Sequence, residues 1–407
     1  MTLFGPAALR SGVASSGCIH YMIRMDIIDI PGSRIVEVSR LALGHPDVDF
    51  VCFGESDQPS PRAAHEAAVA ALAAGHTRYP DVRGLPELRQ SLADYLSGLH
   101  ARAVTESRIQ VVASGMTAVS VALAATVRPS QRVLIHSPAW PNVGNAARLR
   151  GAELTELPLD QPPGGGFRLN LDRLADLLPG TRAFILNSPN NPTGWTATRE
   201  ELSAILALCR RHGVWLISDE VYSRLVYDGA RAAPSLLDIA EPDDRVIVCN
   251  SFSKTWVMTG WRLGWMVVPE GTRDRICELV EVTHSGVAPF VQHAGVAVLR
   301  DEAGVAGFRA HCATGRRLAG DALAGLNGVR YAAPDGAFYA FIGVDGVTDS
   351  LDLAKKLVVN HRVAVAPGIA FGDPGEGHLR ICFAQSEPVI ARAMDRLRDG
   401  LRAELAT

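Results

Sequence analysis

The stretch from 182 to 220 reads RAFILNSPNNPTGWTATREELSAILALCRRHGVWLISDE. Its two ends, RAFILNS (182–188) and VWLISDE (214–220), are short apolar runs of the kind that form buried strands. Between them, TREELSAILALCRRHG (198–213) has helical periodicity, basic residues near its end and Gly213 as a C-terminal cap. A strand, a helix and a strand in this order predict a parallel βαβ unit.

The same alternation of apolar runs and helical patterns extends from about 61 to 290. The other candidate strands are RIQVVAS (108–114), RVLIHSP (132–138), AELTELP (152–158), VIVCNSF (246–252) and LGWMVVP (263–269). Together they predict an α/β fold with one seven-stranded, mostly parallel sheet that helices cover on both faces.

The two ends of the chain have a different pattern. After about 295 come a long helix (303–325), short strands in YAFIGV, RVAVAP and HLRICFA, and a closing helix (387–405). We therefore predict a large domain at 61–294 and a smaller α+β domain formed by 26–60 and 295–407. Residues 1–25 are interpreted as a flexible leader, with an export or organelle presequence as the less favoured alternative.

The composition excludes several classes of protein. The 407 residues are 47% hydrophobic and 20% charged, which excludes disorder over most of the chain. The net charge of -3 and the absence of a basic run argue against nucleic acid and anionic membranes as partners, and no apolar stretch is long enough to span a bilayer. Seven scattered cysteines without a C-x-x-C pair indicate reduced thiols in a cytoplasm. We expect a small-molecule partner and no metal.

Lysine is rare in this chain. Only three of the 40 basic residues are lysines, and Lys355 and Lys356 lie on an amphipathic helical pattern, where solvated lysines are ordinary. Lys254 follows the candidate strand at 246–252 and is surrounded by Trp, Val and Met. Burial at such a place would lower its pKa and make the amine nucleophilic.

Polar residues follow the strands at the edge where parallel sheets bind ligands. Gly115, Met116 and Thr117 open a helix and offer N–H groups to an anion, although most βα turns contain glycine. The other candidates are an aromatic residue, an amide in a proline-rich turn, an acid with a nearby phenol, and two serines with an arginine around Lys254: Trp140, Asn191, Asp219, Tyr222, Ser251, Ser253 and Arg262. Each has a structural alternative: Trp140 could be a core tryptophan, and the turn around Asn191 could be only a turn. Asp219 could cap a helix or form a structural ion pair.

These groups together describe a site for pyridoxal phosphate, and the sequence resembles the fold-type I, class I and II aminotransferases from about 30 to 405. The resemblance rests on S-x-S-K followed by an arginine eight residues later, on a D-x-x-Y pair, and on four longer motifs. Those motifs are TRYPDVRGLPELR (77–89), SPNNPTG (188–194, with Ser188 where the family has Asn), PDGAFYAF (334–341) and VAPGIAFG (365–372).

The resemblance implies a role for each residue around the cofactor. Lys254 would form the internal aldimine and then move the substrate proton, and Asp219 would pair with the pyridine nitrogen. Asn191 and Tyr222 would bind the ring oxygen, and Trp140 would stack on the ring. The phosphate would be held by Gly115, Met116, Thr117, Ser251 and Arg262, and Ser253 would also contact the cofactor.

The resemblance also implies substrate and partner contacts. Arg380 in HLRICFA would bind the substrate α-carboxylate, with Gly54 and Asn191 beside it. Tyr79 would reach the phosphate of a neighbouring subunit, which implies a homodimer with shared active sites. Some aspartate-preferring relatives have a lysine where Thr117 stands, which favours a neutral or aromatic substrate here.

The predicted function is transfer of an amino group from an L-amino acid to a 2-oxo acid by ping-pong chemistry. Relatives with the same residues catalyse elimination (including C–S lysis), decarboxylation, racemisation or aminocyclopropane carboxylate formation, so these remain alternatives. A non-catalytic sensor is less favoured, because such regulators carry a DNA-binding domain before this region. A dehydrogenase is disfavoured because no G-x-G-x-x-G follows the first strand.

Overall fold

The structure is a computed structural model that describes residues 30, 32–100 and 102–405. From Gly32 onward the described residues belong to one compact unit. The leader predicted at 1–25 lies outside the described residues. The division into domains at 26–60 with 295–407 and at 61–294 stays a prediction.

Thirteen α-helices lie in the described residues. They are α1 Arg34–Leu43, α2 Arg62–Ala73, α3 Pro86–Leu99, α4 Gly115–Thr126, α5 Pro141–Leu149, α6 Leu171–Leu177, α7 Arg199–His212, α8 Phe252–Thr255, α9 Arg273–His284, α10 Pro289–Val298, α11 Glu302–Leu323, α12 Ser350–His361 and α13 Glu387–Glu404. Short 3-10 turns occupy Glu106–Arg108, Leu236–Asp238, Thr259–Trp261, Gly368–Phe371 and Asp373–Gly375.

The described residues also form thirteen strands. They are β1 Asp49–Phe50, β2 Ile109–Val112, β3 Arg132–Ser137, β4 Glu153–Pro158, β5 Thr181–Asn187, β6 Trp215–Asp219, β7 Val246–Ser251, β8 Gly264–Val267, β9 Val329–Arg330, β10 Tyr339–Val344, β11 Val363–Ala364, β12 Ala366–Pro367 and β13 His378–Cys382.

The βαβ unit predicted at 182–220 forms as expected. The Thr198 side chain accepts from the Glu201 N–H while the Glu201 carboxylate accepts from the Thr198 N–H, so both ends of a capping box are present before α7. Gly213 ends the helix in the left-handed conformation (φ 65°), which costs glycine little. The strands on either side, β5 and β6, are parallel neighbours in the sheet.

The predicted seven-stranded, mostly parallel sheet is confirmed. Its order is β2-β8-β7-β6-β5-β3-β4, and β8 is antiparallel to both of its neighbours. Alternate side chains enter different cores: Ala183 and Ile185 join the core that contains α4 and α5, whereas Phe184 and Leu186 join the larger core on the other face. Burial on both faces explains why these strands are continuous apolar runs.

The C-terminal part forms a smaller antiparallel sheet in the order β12-β13-β10-β9, and β1 pairs with β11 in parallel. The segment RVAVAP, predicted as one strand, is two: β11 pairs with β1, and β12 pairs with β13. The segment changes partner at Val365, so neither piece is longer than two residues. The strands β1 and β9 were not predicted, because a two-residue strand has no measurable periodicity.

The sheet register gathers polar residues at one edge. Asn187 at the end of β5 lies beside Asp219 at the end of β6, and Asp219 lies beside Cys249 near the end of β7. This is the edge at which α/β sheets bind ligands. Among the described helices, none combines the length and hydropathy required to cross a bilayer.

Candidate functional site

A cavity of about 450 Å³ lies where residues after five strands of the large sheet meet the smaller sheet. Twelve of the fourteen residues predicted for the site line it: Gly54, Gly115, Met116, Trp140, Asn191, Asp219, Tyr222, Ser251, Ser253, Lys254, Arg262 and Arg380. The exceptions are Thr117 and Tyr79. The cavity volume suits a small-molecule ligand.

One end of the cavity is suited to an anion. Ser114 caps α4, and its hydroxyl accepts from the Thr117 N–H at 3.0 Å and contacts the Thr117 hydroxyl at 2.8 Å. Thr117 is therefore engaged in the cap. Gly115 and Met116 line the cavity, and their N–H groups belong to the first helical turn, which has no carbonyl partners of its own. The helix dipole adds partial positive charge at the same place.

Two serines and an arginine complete this end. The Ser251 hydroxyl accepts from the Ser253 N–H at 3.1 Å and so caps α8. The exposed Arg262 donates from Nη1 to the Thr259 carbonyl at 2.6 Å. A Cβ at Gly264 would lie 2.9 Å from the Gly115 nitrogen, so only glycine allows this close approach between β8 and the start of α4.

Lys254 is half-buried between the two ends of the cavity. Its Nζ donates to the Gly54 carbonyl at 2.5 Å and lies 5.8 Å from the ring centroids of both Tyr222 and Phe338. Burial lowers the pKa of this amine from 10.5 to about 8. About a tenth of the Lys254 amine is therefore neutral and nucleophilic at pH 7, far more than for a solvated lysine.

Asp219 is buried at the end of β6. Its Oδ1 accepts from the Val221 N–H at 3.3 Å. Burial raises the pKa of this carboxyl to about 7, against a smaller lowering by the Val221 hydrogen bond. Within the described residues no arginine or lysine forms an ion pair with it, so a ligand that bears an N–H or a positive charge would satisfy the carboxylate.

Arg380 on β13 lies at the opposite end and is 2% exposed. Its Nη1 donates to Asn191 Oδ1 at 2.9 Å, and its Nη2 donates to the Cys52 carbonyl at 2.5 Å. The guanidinium lies over the Tyr339 and Phe371 rings, 4.4 and 4.8 Å from their centroids. Its Nε is buried without a hydrogen-bond partner, and no described carboxylate pairs with it. A buried guanidinium in this state is suited to an anionic ligand.

The family model described as "Aminotransferase class I and II" matches residues 48–397. The chain belongs to this family. An aspartate aminotransferase of Pyrococcus horikoshii is 31% identical, with 94% of this chain and 98% of the relative covered. A valine–pyruvate aminotransferase of Mycobacterium tuberculosis is 34% identical, over 88% of this chain and 92% of the relative. The predicted family and the aminotransferase function are confirmed.

Solved structures agree with this assignment. The crystal structure of an aromatic aminotransferase from Pyrococcus horikoshii superimposes with a TM-score of 0.83 at 32% identity, covering 91% of this chain and all of that one. An aminotransferase from Mycobacterium tuberculosis gives a TM-score of 0.84 at 32% identity, with 92% and 97% covered. The predicted fold type is therefore confirmed.

Tyr339 also lines the cavity, and sequence reasoning assigned it no role. Its hydroxyl lies 2.7 Å from the Tyr222 hydroxyl, and a Cβ at Gly54 would collide with the Tyr339 oxygen. Burial raises the pKa of both phenols, so both stay protonated. The motif PDGAFYAF contained Tyr339, and its place at the start of β10 was the available signal.

The cavity has further lining residues that the sequence did not identify. Ser33, Ile35 and Val36 come from the start of α1, Phe53 from the bend after β1, and Asn142 from the start of α5. No motif marks them, because their place depends on how α1, the bend after β1 and α5 pack together. Tyr79 lies outside the cavity with 93% of its surface exposed.

Proposed function

We propose that this aminotransferase uses pyridoxal 5′-phosphate to move the amino group of an L-amino acid to a 2-oxo acid. The observation that carries the proposal is that the Lys254 amine, the Asp219 carboxylate and the start of α4 line one cavity. These groups differ in charge and match the three polar parts of that cofactor: an aldehyde, a ring nitrogen and a phosphate.

The residues present fit this cofactor in detail. Gly115 and Met116 would hold the phosphate through backbone N–H groups, with Ser251, Ser253 and Arg262 around them; Thr117 would support the cap. Trp140, at the cavity wall, would cover the ring face. The Asn191 Oδ1 accepts from Arg380, so the Asn191 amide N–H groups remain available to donate to the ring oxygen beside Tyr222.

When bound, the cofactor supplies an electron sink for the bond that breaks at the substrate Cα. The Lys254 amine then accepts the proton from Cα as a general base. Asp219 holds a proton on the ring nitrogen, and its burial makes that ion pair strong. Arg380 orients the substrate by binding its α-carboxylate as a fork, beside Gly54.

We also propose a homodimer in a reducing cytoplasm. The nearly complete exposure of the large aromatic Tyr79 supports a role for it at a neighbouring subunit. The six cysteines in the described part of the chain are all free, which supports a reducing compartment.

Covalent labelling tests the cofactor proposal. Protein loaded with pyridoxal phosphate is treated with sodium borohydride, digested and mapped by mass spectrometry, and we expect a pyridoxyl group on Lys254. Lys254→Ala is the matched control and should give no labelled peptide there. A loaded wild-type protein without the label at Lys254 would refute the proposal.

The reaction type needs a separate measurement. Mixing the yellow holoenzyme with amino acids, without a 2-oxo acid, should convert the cofactor to its pyridoxamine form and release a 2-oxo acid stoichiometrically. Release of ammonia or carbon dioxide as the main product would instead support the elimination or decarboxylation alternatives.

A further inference from the structure

Three apolar residues that line the cavity have no proposed part in cofactor or carboxylate binding. They are Ile35 and Val36 in the N-terminal turn of α1 and Phe53 in the bend after β1, and we call them together the α1 wall. Val36 and Phe53 are each 38% exposed although both are large and apolar. Exposed apolar side chains inside a cavity indicate contact with an apolar part of the ligand.

The position of Phe53 relates this wall to the reacting end of the substrate. The carbonyl of the preceding residue, Cys52, accepts from Arg380, and the carbonyl of the following residue, Gly54, accepts from Lys254. Phe53 therefore lies between the residues that touch the proposed carboxylate anchor and the proposed base. A substrate held by Arg380 and Lys254 would place its side chain close to the α1 wall.

The charges around the cavity do not favour an acidic side chain. Within the described chain, the basic residues that line the cavity are Lys254, Arg262 and Arg380. Lys254 and Arg262 already have proposed contacts with the cofactor, and Arg380 with the substrate α-carboxylate. The charged residues of the first turn of α1 do not line it: Arg34 pairs with Glu37 at 3.0 Å, and Glu37 also pairs with Lys355.

Glu55 is the remaining acid of the lining besides Asp219, and its carboxylate accepts from the Thr259 hydroxyl at 3.4 Å. A second substrate carboxylate would thus lose water and meet an apolar wall, a like charge and no additional cation among the described lining residues.

We infer that the amino acids and 2-oxo acids used by this enzyme carry neutral, apolar side chains. The inference rests on the proposed function, because it takes Arg380 as the α-carboxylate anchor and Lys254 as the base. Val36 and Phe53 are then specificity-determining residues, since they contact the side chain of the substrate and not its reacting atoms.

A single-turnover panel tests the inference. The holoenzyme is mixed with valine, leucine, methionine and phenylalanine, with aspartate and glutamate, and with arginine and lysine, and the loss of cofactor colour is followed. We expect second-order rate constants for the apolar group to exceed those for the acids by roughly a hundredfold. Aspartate, glutamate, arginine or lysine reacting fastest would overturn the inference and leave the proposed function intact, whereas no reaction with any amino acid would overturn both.

Equilibrium binding gives a readout that does not depend on turnover. Titration of the holoenzyme with 4-methylvalerate, an apolar monocarboxylate, should give a dissociation constant at least about tenfold lower than titration with the dicarboxylate maleate. Tighter binding of maleate would contradict the inference that the α1 wall contacts an apolar substrate side chain.

Val36→Lys tests the wall directly, because it places a cation where we infer that the substrate side chain lies. The ratio of aspartate to leucine rate constants should rise by at least about tenfold. Val359→Lys is the matched control, since Val359 is a helical valine of similar exposure (42%) that does not line the cavity. It should leave the ratio unchanged. An unchanged ratio in Val36→Lys, with the variant folded and loaded, would refute the inference.

Discussion

The two ends of the cavity are built in different ways. The end with Gly115, Asp219 and Ser251 is formed by strand ends and helix starts of a single sheet, so neighbouring strands fix its geometry. The end with Arg380 depends on contacts between distant parts of the chain: Arg380 donates to the Cys52 carbonyl 328 positions away. The first end suits a cofactor that stays bound, and the second suits substrates that must exchange.

This difference predicts separate kinetic effects for the two ends. Changes at the sheet end should alter chemistry and cofactor retention, whereas changes at the Arg380 end should alter the apparent affinity for the amino acid.

Asp219→Asn should have the largest effect. The amide is nearly the same size and can still accept from the Val221 N–H, but it carries no charge to hold a proton on the ring nitrogen. We expect kcat to fall by roughly 10²–10³ with little change in KM, as for loss of one charge-stabilising group. Steady-state kinetics with a saturating 2-oxo acid measure this. Near-normal kcat in a fully loaded variant would show that Asp219 does not act on the ring.

Arg380→Lys should have an intermediate effect of a different kind. Lysine keeps the positive charge but loses the fork that binds Asn191, the Cys52 carbonyl and the proposed carboxylate together. KM for the amino acid should rise by roughly tenfold to a hundredfold, the equivalent of one charged hydrogen bond. The dissociation constant of the cofactor should stay as in the wild type. A loss of cofactor with no change in KM would show that Arg380 serves cofactor binding and not substrate binding.

Much of the sheet end could be predicted from the sequence. Strand periodicity placed all seven strands of the large sheet, and the residues that follow those strands had to meet at one edge. Gly213 fixed the C-terminal limit of α7 in the same way. These features depend on neighbours along the chain, which a sequence displays directly.

The Arg380 end was harder to predict for a physical reason. Arg380 was identified only through the family resemblance, since the chain has 37 arginines and position alone distinguishes this one. Phe53, Val36 and Tyr339 received no role, because their place in the cavity follows from packing of α1 and β10 against distant segments. The split of RVAVAP into two strands has the same origin, a change of partner that periodicity does not encode.

The smallest predicted effect concerns pH and tests the lysine that lies between the two ends. Only the neutral amine of Lys254 attacks an aldehyde, and burial lowers its pKa from 10.5 to about 8. The rate at which protein without cofactor combines with pyridoxal phosphate should therefore rise about tenfold from pH 7 to pH 9 and then level off. Stopped-flow absorbance measures this rate. Nα-acetyl-lysine in the same buffers is the control, because its solvated amine should keep gaining reactivity beyond pH 9. If the protein rate rises in parallel with the control up to pH 10, then Lys254 is not desolvated by the packing of Gly54, Tyr222 and Phe338 around it.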